Sequence, residues 1–128
     1  MPNLLDRLGG ESAVNAVVDK FYDKVFSDQT LAPFFANTDF AKQRVRQKRF
    51  LIQLMSGQSK DPATYMRNAH RKYVDEMGLN DSHFDIVAGH LVTTLREFKV
   101  SDTLIAEVGS ALESLRGAVL NRVSENAA

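Results

Sequence analysis

PATYMRNAHRKYVDEMG, residues 62–78, is the stretch that decides how this chain folds. Its apolar and ring-bearing residues recur every three or four positions, which predicts an amphipathic helix over residues 63–77. Gly78 follows directly and is a plausible C-cap. The inward stripe of this helix comprises Met66, His70, Tyr73, Val74 and Met77. One histidine therefore shares the buried face with apolar side chains.

Helical periodicity extends outward from this stretch along almost the whole chain, and no run alternates like a strand. Further helices are predicted over residues 11–26, 39–55 and 82–99, with a last one carrying apolar positions from 104 to 119. Thr38 and Ser101 are expected to act as N-caps, and Ser82 with Asp85 resembles a capping box. The sequence thus predicts an all-α fold, a single domain over residues 1–128 with about five helices around one core.

Composition excludes several classes of protein. Sixteen Lys and Arg residues balance sixteen Asp and Glu residues, which argues against a nucleic-acid or membrane-surface protein. The absence of cysteine removes disulfides, thiolate nucleophiles and cysteine-held metals. No apolar run approaches the roughly 20 residues that span a bilayer, and no signal-peptide pattern is visible, so a cytosolic location is expected.

His70 is the first of three polar features on apolar stripes. The simpler interpretation is a core histidine with a satisfied hydrogen bond. The alternative is a neutral imidazole that ligates a metal or a haem iron. No other histidine or carboxylate lies at metal-site spacing on this helix, and a zinc cage needs three or four ligands. A single inward histidine therefore fits an axial haem ligand better than zinc.

The other two polar features are glutamines and a tyrosine. Gln43 and Gln47 lie one turn apart on a face that Phe50 and Leu51 continue, and Tyr22 lies on the buried stripe of the first long helix. Each has an ordinary interpretation, namely a half-exposed helix shoulder for the amides and a surface hydroxyl for the tyrosine. If they meet in space, they would supply hydrogen-bond donors to a bound ligand.

Cations crowd the helix that carries these glutamines. Most are expected to form a solvated face, and nucleic-acid binding would need a broader basic surface. Arg46 is the best candidate to pair with an anionic cofactor edge, such as the propionates of haem. The five cations are Lys42, Arg44, Arg46, Lys48 and Arg49.

Taken together, these residues make the chain resemble the group I truncated haemoglobins of bacteria and cyanobacteria. The resemblance covers nearly the whole chain and rests on the order and spacing of several short motifs. These are Leu8-Gly9-Gly10, Phe21-Tyr22, Phe34-Phe35, Ala41-Lys42-Gln43 with Gln47-Lys48, Met66 to His70, and Gly78-Leu79 followed by His83-Phe84.

The resemblance implies a truncated globin, a two-over-two helical sandwich around haem b. On it, His70 takes the position of the proximal iron ligand, and Phe35 and Met66 take positions beside the haem. Tyr22, Gln43 and Gln47 take the distal positions that contact bound ligand. Phe50 and Leu51 fall where the family lines or gates an apolar tunnel.

Two departures from the family pattern affect the cofactor. Arg46 stands where some relatives place a histidine that binds the iron, and a guanidinium has no lone pair to give. No histidine follows His90, so the covalent haem link that some relatives make from their last helix is not expected. The haem is therefore expected to be bound non-covalently, with Arg46 at a propionate.

The resemblance also implies that the chain binds O2, NO and CO, and that it converts NO to nitrate with a separate electron donor or reductase. A monomer that binds neither nucleic acid nor membrane is expected. Alternatives are O2 storage, delivery or sensing without turnover, an electron-transfer haem protein with two protein ligands, and a haem-free helical adaptor. A visible absorbance spectrum separates the adaptor from the others.

Overall fold

The computed structural model describes residues 4–36, 38–57 and 61–122, and these ranges contain helices and no strand. Each long helix matches a stretch of helical periodicity. In chain order the elements are α1 Leu4–Arg7, α2 Gly10–Ser27, a 3-10 turn Ala32–Phe35, α3 Phe40–Met55, α4 Pro62–Met77, α5 Asp81–Glu97, α6 Asp102–Glu113 and α7 Arg116–Val119.

Two predicted helix starts are wrong by one or two residues. The side chain of Asp39, not Thr38, caps α3 by accepting a hydrogen bond from the Lys42 backbone amide. A carboxylate at this position also interacts favourably with the positive end of the helix dipole. The Ser82 and Asp85 capping box is absent, because Asn80 takes the capping position of α5 instead.

The capping box of α5 joins Asn80 and His83. The Asn80 side chain accepts from the Ser82 amide at 2.9 Å, and the Asn80 amide donates to Nδ1 of His83 at 3.1 Å. His83 is therefore half-buried and structural at this helix start. The signal for a cap was present in the sequence, but it lay in the asparagine before the helix rather than in the serine within it.

Two other predicted helix boundaries, at Gly78 and Ser101, agree with the structure. Gly78 ends α4 with φ 72°, a left-handed conformation in which glycine avoids the steric cost of a Cβ. Ser101 caps α6 as predicted, through a bond from the Leu104 amide. The last predicted helix, however, is interrupted after residue 113. There the Ser114 hydroxyl donates to the Ala111 carbonyl, so it competes for a backbone acceptor.

The core forms around α2, whose predicted apolar stripe is entirely buried. This helix packs against α1, α3 and α5, whereas α4 packs mainly against α7. Helices α3 and α4 therefore pack against different helices, which leaves room for a cavity between them. The buried stripe comprises Val14, Val17, Val18, Phe21, Tyr22 and Val25.

Ion pairs fix α3 against α2. Arg44 bonds both the backbone carbonyl of Asp19 and the carboxylate of Asp23 at 3.0 Å, and Lys48 lies 2.8 Å from the Asp19 carboxylate. The Lys48 ammonium, and to a smaller extent the Arg44 guanidinium, hold the pKa of Asp19 below its usual value. Two of the five cations that crowd α3 are therefore structural and face α2.

A second polar contact joins α5 to the end of α2. Nε2 of His90 lies 2.7 Å from Oδ2 of Asp28, the C-cap residue of α2, and Oδ1 of Asp28 accepts from the Thr30 amide. This pair fixes the chain segment that leads into the 3-10 turn.

Within the described residues, no helix is both long enough and apolar enough to cross a membrane.

Candidate functional site

A mostly apolar cavity of about 170 Å³ lies between α3 and α4. Six elements contribute to its wall, since α2, the 3-10 turn, the middle of α5 and the end of α6 also supply lining residues. Its lining consists of Phe21, Tyr22, Val25, Leu31, Phe34, Phe35, Gln43, Gln47, Phe50, Leu51, Met66, His70, Tyr73, Leu79, Val87, Leu91, Leu112 and Leu115.

His70 is the imidazole of this cavity, and its orientation is set by its own helix. Nδ1 lies 2.8 Å from the carbonyl oxygen of Met66, one turn earlier on α4. Since a carbonyl only accepts, Nδ1 carries the proton and Nε2 keeps its lone pair. Burial lowers the pKa of His70, against the smaller opposing effect of the Met66 carbonyl. The side chain is therefore a neutral imidazole with one free ligating nitrogen.

Tyr22 brings a hydroxyl into the cavity wall from α2. The residue is only 8% exposed, and its ring packs against Phe21 and Phe26 at centroid distances of 4.8 and 5.3 Å. Burial, and secondarily the neighbouring Tyr65 hydroxyl, raises the pKa of Tyr22. The hydroxyl consequently stays protonated at any physiological pH and is available as a hydrogen-bond donor.

Gln43 and Gln47 line the same cavity from α3. Among the hydrogen bonds between described residues, none involves either side-chain amide or the Tyr22 hydroxyl. Polar groups enclosed by a protein are normally paired, so three polar side chains in an apolar wall are suited to a polar or charged ligand. The structure thus brings together the tyrosine and both glutamines that the sequence singled out.

Two aromatic residues of the cavity wall, Phe34 and Phe50, pack against further rings. Phe50 is buried and stacks on Tyr65 of α4, with ring centroids 4.9 Å apart and planes 14° apart. Phe34, in the 3-10 turn, meets Tyr73 edge-on at 6.1 Å and His83 at 4.8 Å. Sequence analysis did not assign Phe34, Tyr65 or Tyr73 to the site, although Tyr73 is three residues from His70 on the same stripe.

Arg46 is the predicted site residue that the cavity wall does not include. It is exposed on the flank of α3, and neither it nor its neighbours Lys42 and Arg49 pairs with an acidic side chain in the described parts of the chain. The other predicted residues all line the cavity: Tyr22, Phe35, Gln43, Gln47, Phe50, Leu51, Met66 and His70.

The donor set determines what kind of group this cavity suits. In residues 4–36, 38–57 and 61–122, no cluster of three His, Cys, Asp or Glu side chains could hold a metal ion directly. A single inward imidazole in a mostly apolar cavity instead fits a metal macrocycle that needs one protein ligand. The residues present are therefore compatible with haem.

Comparison with known proteins agrees with this geometry. The family model described as "Bacterial-like globin" matches residues 3–121. A group 1 truncated hemoglobin of Synechocystis sp. is 47% identical over 110 residues, which cover 86% of this chain and 89% of that protein. One from Tetrahymena thermophila is 36% identical, covering 90% of this chain and 92% of that protein.

Solved structures show the same fold. The 2/2 hemoglobin from Synechococcus sp. PCC 7002, in the cyanomet state and with covalently attached heme, superposes with a TM-score of 0.87 at 44% identity. The match covers 94% of this chain and all of that one. The truncated hemoglobin from Tetrahymena pyriformis superposes with a TM-score of 0.80 at 35% identity and covers 93% and 98% of the two chains.

An all-α chain that encloses an apolar cavity with one inward imidazole has the architecture of a globin. This chain belongs to the bacterial-like globin family, and within it to the group 1 truncated haemoglobins. The prediction of a two-over-two helical fold is confirmed, and the chain is a member of a family of haem globins that bind gases.

Proposed function

We propose that this chain binds haem b non-covalently in the cavity, with Nε2 of His70 as the axial ligand. The observation that carries the proposal is the orientation of His70: its Nδ1 bonds the Met66 carbonyl, and no hydrogen bond between described residues involves Nε2. A carbonyl that accepts from the other ring nitrogen fixes the tautomer and the ring plane of a ligating histidine. Phe35, Phe50, Leu51 and Met66 would contact the macrocycle.

The residue types available in the chain support the proposal of non-covalent attachment. The Synechococcus relative has a covalently attached heme. This chain contains no cysteine, and no histidine occurs after His90. The last helices therefore offer no side chain of the kind that links haem covalently. Arg46, exposed on the helix that carries Gln43 and Gln47, would bind a propionate by a charge-assisted hydrogen bond.

We further propose that the distal side chains bind O2, NO or CO and support oxidation of NO. When bound, the haem would supply a ferrous iron that takes these gases and, with O2 and NO, yields nitrate and ferric iron. The Tyr22 hydroxyl and the Gln43 and Gln47 amides would donate hydrogen bonds to the partial negative charge that O2 acquires. Each such bond is worth roughly 1–3 kcal/mol in an enclosed site.

The test begins with haem. Purified protein reconstituted with haem should give an intense violet absorbance band in the ferric, ferrous and CO-ligated forms, and absence of that band would refute haem binding. Mixing the O2-ligated protein with NO should then give one nitrate and one ferric haem per NO consumed. Slow, non-stoichiometric NO loss would instead favour O2 storage, delivery or sensing.

Sustained turnover requires a reductant, since each cycle leaves ferric iron. The chain has no recognisable flavin or nicotinamide motif, so the electron must come from a separate donor or reductase. A steady NO consumption that depends on added reductase and stops when it is omitted is the expected result.

A further inference from the structure

The charges of this chain are balanced in total but strongly separated along it. Residues 40–74 contain nine Lys and Arg residues and one acidic residue, Asp61. The rest of the chain contains seven Lys and Arg residues and fifteen acidic residues. Because residues 40–74 comprise α3 and most of α4, the two helices beside the cavity carry the excess of positive charge.

Within α3, the cations divide into two sets with different surroundings. Arg44 and Lys48 point to α2 and pair with Asp19 and Asp23. Lys42, Arg46 and Arg49 are exposed and make no ion pair with any described residue. We call these three residues the cationic strip. Their spacing of four and three places them on one face of the helix.

The cationic strip borders the cavity. Arg46 lies three residues after Gln43 and four before Phe50, both of which line the cavity, so it occupies the adjacent edge of the same helix. Val45 lies among the three cations in sequence and is 55% exposed. In a complex, surface charge steers association, and an exposed apolar side chain beside it can add apolar contact.

We propose that the cationic strip is the docking surface for a one-electron donor protein with an acidic face. This inference rests on the proposed function, in which ferric iron must be reduced. In the docked complex one electron leaves the reduced donor and converts ferric iron to ferrous, the donor is left oxidised by one electron, and no bond forms or breaks. Docking beside the cavity keeps the path of that electron short.

The dimensions favour an acidic protein over a nucleic acid. The strip extends over the eight residues 42–49, a rise of about 10 Å along the helix, and holds three cations. The remainder of the chain is acidic and would repel an extended phosphate backbone. A compact acidic patch on a small redox protein matches this surface in both size and sign.

The test measures reduction of the ferric holoprotein by a photoreduced plant-type [2Fe–2S] ferredoxin, which is a small acidic donor. Lys42→Glu combined with Arg49→Glu reverses the strip without touching Arg46 or the cavity wall. The matched control is Lys20→Glu with Arg96→Glu, which makes the same charge change at exposed positions of α2 and α5.

At low ionic strength the strip variant should lose about tenfold or more in the second-order rate constant, and the control less than about twofold. Rising salt should slow the wild type and the control, while leaving the strip variant nearly unchanged. Reduction by dithionite, a small anion that needs no docking surface, should differ by less than about threefold among the proteins. Equal losses in the two double variants would overturn the proposal.

A binding measurement provides a readout independent of electron transfer. Titrating the CO-ligated wild-type holoprotein with oxidised ferredoxin should perturb the amide resonances of residues 42–49. The same titration of the strip variant should leave these resonances unchanged. A DNA duplex that binds the strip more tightly than ferredoxin would also overturn the proposal.

Failure of haem binding itself would refute both the proposed function and the docking surface. Normal spectra with a salt-independent rate would refute the docking surface alone.

Discussion

Nδ1 of His70 lies 2.8 Å from the backbone carbonyl of Met66, within the same helix. A histidine that hydrogen-bonds one turn back is oriented by the helix that carries it, with no help from another element. The bond determines both the ring plane and the tautomer, and it leaves Nε2 directed away from the backbone of α4. The assignment of the iron ligand depends on this relationship.

Replacing His70 by glycine should abolish the axial ligand, because the cavity wall contains no second imidazole. The ferric and ferrous spectra should lose the features of histidine-ligated haem, and adding free imidazole should restore them. Resonance Raman detection of the iron–imidazole stretch is the direct measurement. His90→Gln serves as the control, since His90 bonds Asp28 outside the cavity. An unaltered iron–imidazole signal in the His70 variant would refute the assignment.

Tyr22→Phe removes the buried hydroxyl while keeping the ring that packs on Phe21 and Phe26. Loss of one hydrogen bond to a partly charged ligand, at roughly 1.5–3 kcal/mol, should speed O2 dissociation by about 10- to 100-fold. CO carries little charge and should dissociate at nearly the original rate. Stopped-flow ligand replacement measures both rate constants.

The matched control for this variant is Tyr73→Phe. Tyr73 also lines the cavity, but it lies on α4 three residues from His70, on the opposite wall from Tyr22. It should leave O2 dissociation within about twofold of the wild type. If both tyrosine variants changed the rate equally, the hydroxyl of Tyr22 would have no special role in binding the ligand.

Asn80→Ala should lower the free energy of unfolding by about 1 kcal/mol, the usual cost of losing an N-cap side chain. Its side chain accepts from the Ser82 amide and has no substitute acceptor there. Ser82→Ala is the informative comparison, because Ser82 lies within α5 and its hydroxyl makes no bond to a described residue. That change should cost less than about 0.5 kcal/mol. Urea unfolding followed by circular dichroism distinguishes the two, and the reverse order would contradict the cap assignment.

The contact between Asp28 and His90 should make stability depend on pH in the acid range. The hydrogen bond from His90 holds the pKa of Asp28 below its usual value, with the Thr30 amide adding to the effect. A carboxyl whose pKa is lowered by folding stabilises the native state above its unfolded pKa of about 3.9. The contribution disappears as pH falls through the lower folded pKa.

Asp28→Asn is therefore expected to be less stable than the wild type at pH 5 to 7, and the two should converge as the pH falls below about 4. Thermal unfolding across this range provides the measurement. Asp75→Asn is a suitable control, because Asp75 is exposed and makes no ion pair or hydrogen bond with a described residue. A difference that persisted unchanged to pH 3 would show that the Asp28 charge is not what stabilises the contact.

Sequence periodicity predicted the long helices well and their caps less well. The predicted apolar stripe of α2 and the predicted end of α4 at Gly78 agree with the structure. Both are local properties, because the spacing of buried residues follows the helical repeat and a left-handed conformation favours glycine. The caps at Thr38 and Ser82 were misassigned, since serine, threonine, asparagine and aspartate are all adequate caps and neighbouring candidates compete. The periodicity did not reveal the interruption of the last helix at residues 114 and 115, where the Ser114 hydroxyl bonds the Ala111 carbonyl.

The sequence by itself determined that His70 lies on an apolar helix face, because the helical repeat of 3.6 residues decides this without any other element. It also supplied the glutamines and the tyrosine as polar residues on buried stripes. Only the tertiary structure decided that they meet, since α2, α3 and α4 contribute to one cavity through long-range packing. It likewise separated the cations that pair with α2 from the exposed cationic strip, because ion pairing depends on which helix lies opposite.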